Sequence, residues 1–502
     1  MADPTAGPVM TVSEAGWVDT GTFKPNRGTF PIQVERHLNS FVAAHLPGVT
    51  TVTTGTRYYA LHGLLAHIAE EESLEPESAR HLLRRSEALL ACVTRVHHHD
   101  GRFSPAPHGI DAIMGGARTD NGFDLARAAE VYSRSQWAYA NTYRGPEQAL
   151  KILGTKGFAT GPSFDLDRAA SVLAPLVSAA RATEEVTEAD LQRLSAACLC
   201  TTADSPDGAW LAELLSGDRT EHASRLTMGQ LLWQFGRLAT RAMEANNVTG
   251  ATDLSDLIMF DQSVRTDPEL ARMVAPARWR GGLLRRESVF AWRLIWRYVN
   301  QLVGGSRAVS ELVDAFADEL PSVDVQDFKA ALPARLWEDG SPRPAERELD
   351  HLSPLERWMA RLFLGADRLS DLHEEELRGF CGRQEDRGGI WEELSPGWVA
   401  DRIERSANRT MRDLGRDFAM ALINRSQRVA LYKSGFNSKT GVFTFPARLH
   451  VRDGIAVQIF SETATDPATR IPQYLSLARQ AGMFSVDATG RYAPGPNGGL
   501  LV

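Results

Sequence analysis

No window of this sequence approaches about eighteen consecutive apolar residues, the length a helix needs to cross a bilayer, so no membrane span is expected. Cysteine is scarce. Cys92, Cys198, Cys200 and Cys381 are the whole supply in 502 residues, too few and too scattered for a disulfide framework or a four-cysteine zinc site. Cys198 and Cys200 sit one residue apart in the apolar run LSAACLCTT and read as buried free thiols that pack as small apolar side chains. The opening MADPTAGPVMTVSEAG has neither a basic region nor an apolar core, so it does not fit a secretion signal. A cytoplasmic setting is the expectation, with residues 1–15 disordered.

Catalytic signatures are missing as well. GFNSKTG, Gly435 to Gly441, lacks the spacing and the glycine before lysine that a phosphate-binding loop requires. No Gly-x-Ser-x-Gly elbow or His-Glu-x-x-His motif occurs, and His373-Glu374-Glu375-Glu376 lacks a second histidine. A nuclease built on Glu462 would want lysine where Ala464 stands. No catalytic residue and no cofactor is implied, and there is no internal repeat. Overall basic charge is absent too: net charge is −8 and pI about 6.0, which excludes a generally basic nucleic-acid coat.

What is present begins with a local exception to that acidity. Within residues 396 to 434, Arg402, Arg405, Arg409, Arg412 and Arg416 recur at spacings of three and four, which on one long helix puts them on one side. Ile403, Ala407, Leu414 and Phe418 fall on another side and can pack. Ser395 followed by Pro396 is a helix start. Arg425, Arg428, Lys433 and Lys439 extend the run, and from Arg402 to Arg452 eleven basic residues face three acids, a local excess of eight. Such a segregated basic surface suggests a polyanion, with DNA phosphates as the expected partner. The bland reading is a solvated face whose arginines pair with Glu404, Asp413 and Asp417.

A composition of 43% hydrophobic and 24% charged residues, over this length, supports two or three globular domains. The expected fold is mainly α and multi-helical, with a smaller C-terminal α+β portion carrying the basic helix and a β-hairpin. Its domains are expected at 16–200, 201–335 and 351–490, with LWEDGSPRPAERELD (336–350) as linker. Helices are expected over 31–45, 57–72, 76–96, 124–143 and 164–182, and over 187–200 behind a Thr187/Asp190 capping box. ARWRGGLLRRESVFAWRLIWRYVNQLV interleaves arginines with Trp279, Trp292 and Trp296. The favoured reading has the tryptophans inside and the arginines snorkelling out, against a base-stacking surface. Asp453-Gly454 between β-rich runs marks a hairpin. Long helix followed by hairpin is also the order of a winged-helix unit.

A Thr-rich segment precedes the helix from Arg57, whose charge is unfavourable at a helix start and calls for a buried carboxylate or a phosphate. Thr54, Arg57 and Tyr58 form a second candidate site. His97-His98-His99-Asp100, with His108 beyond, is the one cluster with metal-ligand chemistry. Consecutive histidines cannot all point one way, so at most two would ligate.

Trp17-Val18-Asp19, Leu46-Pro47-Gly48-Val49-Thr50-Thr51, Thr54, Arg57 and Tyr58-Tyr59 resemble the opening of an uncharacterised bacterial family carrying only a domain-of-unknown-function label. Gly109-Ile110 to Gly115-Gly116, Trp137 to Tyr143 before Gly154, and Asn424 to Arg428 resemble later pieces, while Gly55 departs from the pattern. The resemblance implies a bacterial protein with relatives near restriction and phage-defence genes, and no known activity. Residues and resemblance together give, as the leading expectation, a non-enzymatic nucleic-acid-associated subunit of an antiviral defence or DNA-transaction complex. A metal-dependent nuclease using the His97–Asp100 turn and a helical scaffold for an acidic partner are the alternatives.

Overall fold

A computed structural model describes residues 23–26, 29–98, 106–220, 226–382, 392–438 and 441–502. His99, Asp100, Lys439 and the Trp17–Asp19 opening, all named above, lie outside the described residues. The chain is mainly α, and among the described residues the strands form short two- and three-stranded sheets.

Two compact units divide the chain. One is Met1–Phe41, Ile258–Ala271 and Ala277–Ala468; the other is Val42–Leu257, Arg272–Pro276 and Thr469–Val502. The expected domains were contiguous stretches, whereas these units are not. The expected linker at 336–350 lies inside the first unit, where Ala345 and Leu349 belong to the core and Glu346 is buried against Arg368 at 2.8 Å. Single core anchors leave no periodicity for a sequence reading to find.

The first unit is built around Ala277 onward of the helix Val274–Leu302. Trp292, Trp296 and Val299 are buried, as the packing reading holds, with Phe316, Met359, Phe363, Leu414 and Phe418 around them. The Trp292 ring lies 5.1 Å from Phe418, and its indole N–H donates to the Leu394 carbonyl. Burying these aromatics is the main apolar contribution to the unit. The run 396–434 is two helices, Pro396–Arg405 and Met411–Lys433. Ser395 caps the first as expected. Thr410 forms a reciprocal capping box with Asp413 and starts the second, which takes residues 406–410 out of the helix.

The hairpin is present. Leu449–Arg452 pairs antiparallel with Ile455–Gln458 in a register that leaves Asp453 and Gly454 as a two-residue loop. Both have positive φ, 49° and 77°, the I′ geometry that Asp-Gly favours. The outer edge of Ile455–Gln458 is covered by Ser306–Ala308, so the hairpin is part of a sheet and not a projecting wing. Val442–Pro446 pairs antiparallel with Gly435–Asn437 and parallel with Phe23–Asn26.

In the second unit, helices Arg57–Glu71, Pro76–His97 and Leu166–Ala182 form where expected. The expected helix at 124–143 is split into Leu125–Val131 and Ala140–Ala149, with Ala138 at φ 45° between them. The Thr187/Asp190 box starts a helix of six residues, Glu188–Arg193, and two 3-10 turns follow it, Ser195–Ala197 and Leu199–Asp204. The helix Ile471–Gln480 joins this unit because Gln480 accepts from Thr56 N–H and donates to the Thr54 carbonyl.

Buried ion pairs and surface ion pairs should behave differently in the first unit. Glu376 binds Arg265 through both carboxylate oxygens, at 2.9 and 2.6 Å, and also Arg280 at 3.2 Å. Arg280 is fully buried. Glu376→Ala should cost about 3–5 kcal/mol, because it strands a buried guanidinium. Arg405→Ala, at an exposed pair with Asp401, should cost below about 1 kcal/mol. Urea unfolding followed by tryptophan fluorescence compares them; equal losses would contradict the assignment.

Candidate anion-binding cavity

The basic run is largely neutralised in three dimensions. Arg405 pairs with Asp401 at 2.9 Å, Arg409 with Asp417 at 2.6 Å, and Arg416 with Asp314 at 2.8 Å and Asp413 at 3.0 Å. Arg412 donates to the Leu320 carbonyl and lies 3.6 Å from Asp318. Arg402 stands over the Trp398 ring at 5.1 Å. Arg428 pairs with Glu393, and Lys433 donates to the carbonyls of Thr29 and Phe30. Asp314 and Asp318 come from the helix region Val309–Asp318, about a hundred residues earlier, so a local charge count could not include them. The break at 406–410 also ends the continuous stripe.

Arg425 differs from its neighbours in being buried, 1% exposed, with Nε donating to the Ile32 carbonyl at 2.6 Å. It lines a cavity of about 380 Å³ within the first unit, inside the size range of small-ligand pockets. Arg36, His37 and Ser40 contribute from one wall, Arg285 from the long helix, and Cys381 from the end of helix Glu374–Cys381. Ser395, Pro396 and Gly397, the first turn of helix Pro396–Arg405, complete it. That turn presents the positive end of the helix dipole. Close helix packing puts Cys381 on the wall. A Cβ on Gly281 would lie 1.9 Å from the Glu376 carbonyl oxygen, and one on Gly379 would lie 2.0 Å from that of Arg278.

Arg285 is the decisive residue. It is 6% exposed, and among the described residues its buried Nη1 has no hydrogen-bond partner. Burial pushes its pKa down to about 10; Arg425 adds to the drop, and Cys381 opposes it. A buried polar group is normally hydrogen-bonded, and a buried charge paired. Glu392 and Glu393 also line the cavity, but Glu393 is engaged by Arg428 and lies 3.6 Å from Arg425. The arrangement is that of a site that can receive an anion. Sequence reading placed Arg285 among snorkelling arginines; Gly281-Gly282, about one helical turn before it, permits close helix approach and was the available signal for burial.

The second candidate site is structural in its contacts. Arg57 is fully buried, with Nε 2.8 Å from Asp207 and further bonds to the Ala196 carbonyl, Thr201 and Ser205. Of its two sequence-level readings, the buried carboxylate holds. Thr54 N–H donates to the Tyr143 hydroxyl at 3.1 Å, and the buried Tyr58 hydroxyl accepts from His108 N–H at 3.2 Å. His108 stacks on Tyr139 at 4.2 Å and burial, with a smaller push from the nearby His62 charge, takes its pKa down to about 4, so it stays neutral. His97 and His98 lie instead with Cys198 and Cys200, their ligand atoms within 4.8 Å of one another.

Sequence reading did not single out His62. Its imidazole is fully buried between Glu147 at 2.5 Å and Glu87 at 3.0 Å. Burial alone would lower its pKa, but the two carboxylates prevail and raise it to about 10.

Comparison of the chain with protein-family models, curated proteins and solved structures finds no match. Fold and cavity are therefore described by physics alone: a mainly α protein with a cavity lined by Arg36, Arg285 and Arg425 and by Glu392 and Glu393.

The His62 cluster gives a pH dependence with a definite sign. Its folded pKa lies above the ordinary value of 6.5, so its contribution is complete below that value and is lost as pH rises toward 10. Unfolding of the second unit, followed by hydrogen exchange, should show stability falling across this window, with His62→Gln flattening the slope. A wild-type profile flat between pH 7 and 10 would contradict a protonated His62.

Proposed function

We propose that this protein binds a phosphate-bearing anion in the cavity lined by Arg285 and Arg425, and acts as a recognition component without chemistry of its own. The observation that carries the reading is the buried, unpartnered Nη1 of Arg285. Guanidinium groups match phosphate oxygens with paired, charge-assisted hydrogen bonds. The helix start at Ser395–Gly397 adds a dipole of the right sign. Tetrahedral phosphate, with several acceptors around one centre, suits donors converging from separate helices better than a planar carboxylate does.

The phosphate can be carried by a free nucleotide or by the end of a nucleic-acid strand. The second bearer accords with the defence or DNA-transaction setting that the resemblance implies. It also concentrates the phosphate contact at Arg425 and Arg285, away from Arg402, Arg405, Arg409, Arg412 and Arg416.

Calorimetric titration with pyrophosphate, a nucleoside triphosphate, and 5′-phosphorylated or 5′-hydroxyl oligonucleotides separates these bearers. Arg285→Met should weaken the bound ligand about ten- to a hundredfold, the value of a lost charged hydrogen bond of about 1.5–3 kcal/mol. Arg405→Glu/Arg412→Glu should leave that affinity unchanged. No binding of any phosphate would overturn the proposal. So would salt-dependent duplex binding lost in the double variant and kept in Arg285→Met, which would return phosphate contact to the basic run.

A further inference from the structure

Two pairs of metal-ligand side chains, about a hundred residues apart in the chain, meet in the second unit. His97 is the last residue of helix Pro76–His97, and His98 follows it at φ −114°, ψ 72°. Two consecutive imidazoles on a helix diverge by about 100°. The change of backbone direction at His98 lets these two converge. Opposite them, Cys198 and Cys200 bracket the start of the 3-10 turn Leu199–Asp204. Cys200 Sγ lies 3.3 Å from His97 Nδ1 and 3.2 Å from Cys198 Sγ. All four ligand atoms lie within 4.8 Å of one another.

We propose that His97, His98, Cys198 and Cys200 form a tetrahedral site for Zn²⁺. With Zn–S near 2.3 Å and Zn–N near 2.0–2.1 Å, ligand atoms in such a site are about 3.3–3.8 Å apart, so side-chain adjustments of under about an ångström complete it. Two soft sulfurs with two imidazoles select zinc over magnesium or calcium. The two sulfurs are too far apart for a disulfide, whose S–S bond is about 2.05 Å, and both cysteines are free thiols.

The cysteine side is held in place by contacts that owe nothing to a metal. Arg57 donates to the Cys198 carbonyl, to that of Ala196 and to Thr201 Oγ1. Leu199 N–H donates to Thr94 Oγ1, one turn before His98. Arg57 is itself locked by Asp207. This clamp fixes the chain that carries the thiols, so little ordering remains to be done on metal binding. Uptake replaces two S–H protons: one Zn²⁺ and two thiols give a zinc dithiolate and two released protons, with no change of oxidation state. Since protein ligands fill all four positions, no coordination site is left for water. The metal would staple the end of helix Pro76–His97 to the 3-10 turn and would not be hydrolytic.

The test uses the full chain, purified under reducing conditions without added metal. Elemental analysis should find one zinc per chain, and Cys198→Ser/Cys200→Ser should abolish it. Because that variant can fail to fold, a second measurement uses wild type. After chelation, titration with Co²⁺ should give the visible bands of tetrahedral cobalt with thiolate ligands, saturating at one equivalent and displaced by Zn²⁺. Folded, reduced protein that gives no such bands overturns the proposal. Metal retained in the folded double-cysteine variant overturns it too, as does a Cys198–Cys200 disulfide in protein kept anaerobic throughout.

Discussion

A buried guanidinium cannot shed its charge at any ordinary pH, so the chain must either bring it a partner or leave the position open for one. This constraint organises both units. In one, Arg57 holds Asp207 and gathers the turn around Cys198. In the other, Arg280 and Arg265 share Glu376, Arg368 closes on Glu346, and Arg425 is bound to the Ile32 carbonyl. Arg57, Arg280, Arg368 and Arg425 rank with the tryptophans among the largest fully buried side chains. Arg285 differs from these four: among the described residues its buried Nη1 has no hydrogen-bond partner, and it lines a cavity. A fold that satisfies Arg57, Arg280, Arg368 and Arg425 in this way would carry the unsatisfied Nη1 of Arg285 as a cost, unless a ligand supplies the missing acceptor.

The local rules of the chain were legible. Ser395, Thr187 with Asp190, and the Asp453-Gly454 loop act through neighbours a few residues away, and each is found where its chemistry puts it. The tryptophans of the long helix are inside as their spacing suggests. What could not be read locally was pairing at a distance. Arg412 and Arg416 looked uncompensated because Asp318 and Asp314 approach from another helix. The Thr410–Asp413 box interrupts a pattern that periodicity alone carries straight through. The unit boundaries escape for the same reason, since Thr469–Val502 returns to the company of residues more than two hundred positions earlier.

The candidate sites show the same division. Arg425 was named from sequence for phosphate contact and does line the cavity, though buried rather than displayed. His97 and His98 were named for metal, while Cys198 and Cys200 were read as packing. Each half of that cluster is weak in sequence. Its chemistry exists only where the fold joins the halves. Arg285 gave no sign beyond Gly281-Gly282, because which of the six arginines are buried, Arg280 and Arg285, is decided by what packs against the helix.

The central claim is that the Arg285 charge is held in the fold for an absent anion and not for structure. The most direct test compares the unfolding free energy of wild type and Arg285→Met in buffer free of phosphate and sulfate, then repeats it with saturating ligand. The variant should be as stable as wild type or more so without anion, since an apolar side chain removes an unpaired buried charge. With ligand, both should gain stability as RT ln(1 + [L]/Kd), wild type by about 1.4–2.7 kcal/mol more, the free-energy equivalent of a ten- to hundredfold difference in Kd. A loss of several kcal/mol in the anion-free variant would contradict the account, because it would mean that the Arg285 guanidinium already has its partner within the protein.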